Sequence, residues 1–225
     1  MDKTPPQVDD RNVARAARLD TATLSDALDK LGIAGQCHLI KPRAGSFRMA
    51  GRAWTLLYGP AGKPAGTVGD YIDDVPPGSV VVLDNGGRDN ATVWGDILTE
   101  IAHRRGIAGT VIDGVCRDVA LCQELGYPVF SKDHWMRTGK DRVQVEATGV
   151  PVNIGDARVA PGDIVRGDAD GVVVIPREHE AAVLDAAEAI EAAEDRIRQA
   201  VRAGMRLDEA RRQFRYHQLQ TPEAS

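Results

Sequence analysis

The chain has 225 residues, enough to bury one full core as a single domain or a domain with an appendage. Its 28 basic and 33 acidic residues are interspersed and leave a net charge of −5, so there is no electrostatic footprint for nucleic acid or an anionic membrane. No stretch reaches the ~18 consecutive apolar residues of a membrane span. Three cysteines without framework spacing (Cys37, Cys116, Cys122) suit a reducing cytosol, so a cytoplasmic location is expected.

Residues 1–10, within MDKTPPQVDDRN, lack the apolar core of a signal peptide and read as a short disordered lead. Over 11–31, Leu24, Ala27, Leu28 and Leu31 recur at helical spacing and Gly32 stops the pattern, with Asp20 or Thr21 as a cap. The following stretch is broken by Gly and Pro, with short β-like pieces such as GRAWTLL at 51–57. Residues 63–74 are a candidate helix that Gly66 and Gly69 interrupt. Pro76, Pro77 and Gly78 then turn the chain into a β-branched run at 79–83, the pattern of a strand covered on both faces.

Val93, Trp94, Ile97, Leu98, Ile101 and Ala102 place a helix over roughly 92–105, ended by Gly106. GTVI at 109–112 is a second buried strand, 119–125 a second helix ended by Gly126, and PVF at 128–130 opens a third strand. That alternation is a βαβαβ unit whose active edge lies at the carboxyl ends of its strands. From 143 to 176, short strands parted by Gly, Pro and Asp turns form a small antiparallel β-unit attached to the parallel one. Residues 178–203 are a long Ala- and Glu-rich helix ended by Gly204, and 206–225 are a polar tail that frays or reaches a neighbouring subunit. The expected fold class is α/β: a layered sandwich with a central βαβαβ unit, a small antiparallel unit and a long C-terminal helix. Residues 11–205 are expected to form a single domain.

Chemistry concentrates between residues 84 and 118. Two turns, each after a strand and before a helix, carry Gly95-Asp96-Ile97-Leu98 and Arg117-Asp118. Asp118 can be an ordinary helix-start acid with Arg117 as its surface partner. Gly95 is costly inside a helix, by about 1 kcal/mol against Ala. It marks a close backbone approach, a helix that starts near 95, or simply space for Trp94 against a neighbouring strand. A start there would offer the N–H groups of Ile97 and Leu98 to an anion such as a carboxylate. Together the two turns place two carboxylates and a guanidinium at adjacent strand ends, a hard-oxygen site suited to Mg²⁺ or Mn²⁺ rather than zinc.

Other candidates carry less. No histidine is placed to activate Cys116, and the five histidines have no metal-ligand spacing. Asn85-Gly86-Gly87 lacks a phosphate-loop pattern and reads as the turn leaving strand 79–83. Residues 168–171 (DADG) lack the following helix and terminal Glu of a calcium loop and read as a β-turn.

The interval from Asp96 to Arg117-Asp118, with TATLSDAL, GIAGTVIDGVCRD, PVF and APGDIVRGDADGVVVIP, resembles the RraA-like family over roughly residues 18–205. That family includes 4-hydroxy-4-methyl-2-oxoglutarate aldolases and oxaloacetate decarboxylases. The resemblance implies a swivelling-domain-like fold and a divalent-metal-dependent lyase that releases pyruvate from a small 2-oxo acid. It implies Asp118 as the metal ligand, Arg117 on substrate oxygens, residues Gly95, Asp96, Ile97 and Leu98 against the pyruvyl carboxylate, and Asp96 holding a water of the ion's shell. It implies a homotrimer or homohexamer that recruits a C-terminal-helix glutamate from a neighbouring subunit. Glu194 is the candidate, since it falls in the apolar stripe Leu184, Ala187, Ile190, Ile197, Val201. A buried unpaired charge would be costly there, although Glu194 can also reach solvent from the stripe's edge. Two departures stand out: AGTVGD after Pro64 lacks a substrate-contacting asparagine, and the ending FRYHQLQ differs from the family's aromatic-catabolism aldolases. Some members instead bind and inhibit ribonuclease E, which makes a non-catalytic interaction module the alternative. Nothing resembles a nucleotide-cofactor site.

Overall fold

The structure is a computed structural model, and it describes residues 10–214 and 216. The expectations for the lead at 1–9 and for the end of the tail therefore lie outside the described residues. Asp10 is ordered: it caps helix α1 (Arg11–Arg18) by accepting from the backbone N–H groups of Asn12 and Val13. The expected single helix over 11–31 is two. Leu19 is extended and buried, and the Asp20 carboxylate accepts from Thr23 N–H to start α2 (Thr21–Lys30).

The central sheet grows from the β-branched runs as expected. Strands β2 (Met49–Pro60), β3 (Ser79–Arg88), β4 (Gly109–Cys116) and β5 (Val129–His134) lie parallel in the order β2-β3-β4-β5. Helix α3 (Asp96–Arg104) joins β3 to β4, and α4 (Val119–Leu125) joins β4 to β5. β4 is buried at every residue, as a strand covered on both faces must be. Gly106 and Gly126 take positive φ just past these helices, the left-handed conformation that ends a helix without a Cβ penalty.

The antiparallel strands mostly join this sheet. β1 (Lys41–Pro42) pairs with β5, β6 (Val143–Thr148) and β9 (Ile164–Gly167) pair with β2, and β10 (Val172–Ile175) pairs with β9. Only the hairpin β7 (Val152–Ile154) and β8 (Ala157–Val159) stands apart, packed over β2, β3 and β4. Helix α5 (Glu180–Arg202) lays its stripe on α1 and α2, burying Leu184, Ala187 and Ile190 in a second core with Ile164 and Ile175, and Ile197 is buried further along the stripe. Val201 is exposed, so the stripe stops one turn short. Part of the polar tail folds back: α6 (Leu207–Gln213) packs on α5 and buries Ala210.

Residues 63–74 are not a helix. Only a single 3₁₀ turn, Ile72–Asp74, forms. The preceding backbone is bonded elsewhere: Gln144 Oε1 accepts from Gly62 and Gly66, the Thr67 carbonyl accepts from Val145, and the Val68 carbonyl accepts from the Tyr58 hydroxyl. Groups that a helix would use internally are thus spent on β2 and β6.

Candidate active site

Helix α3 starts at Asp96 with Gly95 as its cap residue, four residues later than the periodicity gives. Trp94 and Thr99 fix that start. The buried Trp94 stacks on Tyr127 at 6.0 Å between centroids, and its indole N–H donates to Thr99 Oγ1 at 2.9 Å. The Thr99 hydroxyl also donates back to the Gly95 carbonyl at 2.9 Å and lies 3.3 Å from Cys122 Sγ. Neither Thr99 nor Cys122 stood out in the sequence. The only signal was a hydroxyl four residues after Gly95, the distance at which it reaches carbonyl i−4.

The two turns are laced together. Arg117 N–H donates to the Trp94 carbonyl at 3.0 Å, and Asp96 N–H donates to Asp118 Oδ2 at 3.0 Å. Arg117 Nε lies 3.3 Å from the same oxygen. Asp118 holds a left-handed backbone, φ 55° and ψ 40°, which a short polar side chain tolerates and which turns its carboxylate toward Gly95. Gly95 is the close approach: a Cβ there would stand 2.8 Å from Asp118 Oδ2 and 3.1 Å from Arg117 Nε.

The helix start is less open to an anion than its sequence implied. Asp96 N–H is taken by Asp118, and Ile97 N–H donates to Asp96 Oδ1 at 2.8 Å, which leaves Leu98 N–H in the first turn. A ligand carboxylate reaches Ile97 N–H only if the Asp96 side chain swings aside. The Arg117 guanidinium is half-exposed, and its two terminal nitrogens have no acceptor among the described residues. Residues 95–98 and Arg117 line one cleft of about 450 Å³, together with Val68, Gly69, Asp70, Ile72, Asp73 and Thr138.

A divalent ion fits this donor set only in one manner. Among the described residues no group of three or more His, Cys, Asp or Glu gathers to cage a metal. Among the described residues none donates to Asp118 Oδ1, so one carboxylate oxygen would remain for a hard cation whose other ligands are water and substrate. Zinc, which favours closed nitrogen and sulfur sets, does not suit it. Glu194 is not brought to these residues within the chain. It is half-buried on α5 and pairs with Arg198 at 2.7 Å, which supplies the partner its burial requires. Cys116 is buried, and that burial pushes its thiol up to about 11, which disfavours the thiolate that a nucleophile needs.

A family model described as RraA-like, Aldolase/RraA, matches residues 21–174. The chain belongs to the RraA-like family. Among RraA-like relatives, the Legionella pneumophila protein DlpA is 40% identical over 203 residues, covering 88% of this chain but 33% of that longer protein. A Halalkalibacterium halodurans protein named "Putative 4-hydroxy-4-methyl-2-oxoglutarate aldolase" is 33% identical over 75% of this chain and 78% of its own. Among solved structures, a Pseudomonas syringae protein superposes with TM-score 0.83 at 42% identity, covering 89% of this chain and 96% of that one. Streptomyces coelicolor RraAS2, described as an unusual member of the RNase ES inhibitor RraA family, superposes with TM-score 0.80 at 28% identity, covering 86% and 99%.

Proposed function

We propose that this RraA-like chain is a divalent-metal-dependent carbon–carbon lyase that releases pyruvate from small 2-oxo acids, by retro-aldol cleavage of 4-hydroxy-2-oxo acids, by decarboxylation of oxaloacetate, or both. The observation that carries it is the lacing of the two turns, which sets the free guanidinium fork of Arg117 and the start of α3 on one cleft and ties the Asp118 carboxylate to that helix start. Relatives carrying aldolase names support the same chemistry. Asp118 would hold Mg²⁺ or Mn²⁺, which supplies Lewis-acid stabilisation of the enolate. When the C3–C4 bond breaks, its electron pair passes to the pyruvate enolate, and Arg117 holds the oxygen where charge develops. Leu98 N–H, and Ile97 N–H once Asp96 turns away, hold the substrate carboxylate. Asp96 and Glu194 of the partner subunit orient the water that takes the 4-hydroxyl proton and returns it to C3. Loss of CO₂ from oxaloacetate needs no such base. The proposal includes a homotrimer or homohexamer.

A coupled pyruvate assay tests this with oxaloacetate and 4-hydroxy-4-methyl-2-oxoglutarate. Activity is expected with Mg²⁺ or Mn²⁺, to vanish with EDTA, and to fall by about 10²-fold or more in Asp118→Ala. Turnover no faster than buffer sinks the lyase assignment. It would favour an RNA-processing regulator, the second class, to which the likeness with RraAS2 points.

A further inference from the structure

The Thr99 hydroxyl is fully buried behind the start of α3, and its proton has one strong acceptor. The Trp94 indole N–H can only donate, so at 2.9 Å it occupies a lone pair of the hydroxyl oxygen. Cys122 Sγ, at 3.3 Å, is a weak acceptor. The proton therefore goes to the Gly95 carbonyl at 2.9 Å, which also accepts from Thr99 N–H at 3.0 Å. Both lone pairs of that carbonyl are thus taken. The other end of the same peptide is Asp96 N–H, which donates to Asp118 Oδ2. One unbroken chain results: Trp94 indole, Thr99 hydroxyl, Gly95–Asp96 peptide, Asp118 carboxylate. Each bond in such a chain polarises the next, so the doubly bonded Gly95 carbonyl makes Asp96 N–H a stronger donor.

The buried end of the chain is anchored. Trp94 stacks on Tyr127, whose hydroxyl lies 2.9 Å from Thr110 Oγ1 on β4. The other end holds a residue that needs holding. Asp118 keeps its left-handed backbone only while its surroundings determine it, and its side chain is 37% exposed. Apart from the ion pair with Arg117 Nε, Asp96 N–H is the one donor to that carboxylate among the described residues. We infer that Thr99 is a positioning residue for the divalent ion: through the Gly95–Asp96 peptide it keeps Asp118 Oδ2 on the helix start and leaves Oδ1 to the cation. Thr99 does not line the cleft and touches neither substrate nor ion. A mid-helix threonine bonded to carbonyl i−4 is ordinarily a packing feature. Here the carbonyl it bonds belongs to the peptide that reaches Asp118. The inference rests on the metal-dependent lyase assignment and adds a residue that sets its metal affinity.

The test measures Mn²⁺ affinity directly, from the electron paramagnetic resonance signal of free Mn²⁺, with Asp118→Ala marking loss of the site. Thr99→Val keeps the side-chain shape without the hydroxyl and should weaken Mn²⁺ binding by about tenfold, the lower end for groups that orient a metal ligand. Thr99→Ser restores the hydroxyl and should stay within about twofold of wild type. Thr99→Val also leaves the Trp94 N–H unpaired in the core, which lowers stability by itself. The double variant Trp94→Phe/Thr99→Val removes that orphan, so its urea midpoint should recover while Mn²⁺ stays weakly bound. A change in Mn²⁺ affinity below about threefold in both valine variants, or an equal fall in Thr99→Ser, reduces Thr99 to packing and overturns the inference. Mn²⁺-dependent pyruvate release by the wild type would then leave the lyase assignment standing. The expected pattern of affinities in a protein that releases no pyruvate upholds the inference and overturns the lyase assignment. Wild-type Mn²⁺ binding no tighter than that of Asp118→Ala overturns both.

Discussion

With a Cβ at position 95 standing 2.8 Å from Asp118 Oδ2 and 3.1 Å from Arg117 Nε, Gly95→Ala must push both charged groups away from the start of α3. Neither lies in the core, so folding stability should change by less than about 1 kcal/mol. Misplacement of that order at a site of this kind costs about 10²-fold. The expected outcome is a large fall in kcat/KM for pyruvate release with an almost unchanged urea midpoint. Equal falls in both would show that Gly95 serves packing alone. At this scale the sequence carried much of the site: a glycine where a helix disfavours one marked the approach of another backbone. The left-handed Asp118 and the covering of Ile97 N–H by the Asp96 side chain depend on local dihedrals that residue types do not determine.

At the scale of elements, the buried strands and the glycines that end helices were readable, because period, β-branching and left-handed stops are local properties. Long-range backbone partners were not. The segment 63–74 carries weak helix signals, and Gln144 and Val145 decide its shape from β6. Half-burial of Glu194 was readable from the stripe, yet its partner Arg198 on the next turn explains it without a second subunit. One element-scale device joins both ends of the chain. Glu180, buried at the start of α5, accepts from both Arg52 on β2 and Asn12 on α1, and Arg52 Nε also reaches Asp10 at 2.6 Å. Glu180→Ala removes the shared acceptor and leaves Arg52 with Asp10 alone. A loss of about 1–3 kcal/mol in urea unfolding is expected. A loss below about 0.5 kcal/mol would show that the ion cluster is no more than a surface pair.

The same ties give the whole molecule an acid limit. Burial raises the Asp168 carboxyl. The opposing bonds from Thr21 N–H at 2.8 Å and the Thr21 hydroxyl at 2.6 Å outweigh it, and the net position is below the usual carboxylate range. Asp10 is likewise lowered, chiefly by its bond to Arg52. A carboxyl lowered in the folded state contributes stability that is present above its ordinary value of 3.8 and lost as pH falls below it. Asp163, raised by burial, works in the opposite sense. Unfolding midpoints should therefore drop as pH falls below about 4. Asp168→Asn should cost about 1–3 kcal/mol at pH 7, where an amide donor would face Thr21 N–H, and should flatten the acid limb. An unchanged acid limb would assign the proton uptake on unfolding to other carboxylates.

Assembly is the remaining question at this scale, and the surface around the site bears on it. Ile97, Trp135 and Met136 are 70%, 45% and 71% exposed, and Trp135 N–H donates to the Cys116 carbonyl at 2.8 Å, one residue from Arg117. Large apolar side chains so exposed beside a charged cleft are what a subunit contact would cover. If Glu194 of a partner subunit completes the site, a chain lacking Arg117 and a chain lacking Glu194 each hold what the other has lost. Arg117→Ala and Glu194→Ala proteins should each be nearly inactive alone. Unfolded together and refolded at equal amounts, they should recover about one quarter of wild-type pyruvate release, the share of contacts that join two intact halves under free mixing. Mass measurement of the refolded oligomer confirms that the chains have mixed. Recovery no greater than the sum of the separate variants, in demonstrably mixed oligomers, would place the whole site within one chain and leave Glu194 to its pairing with Arg198.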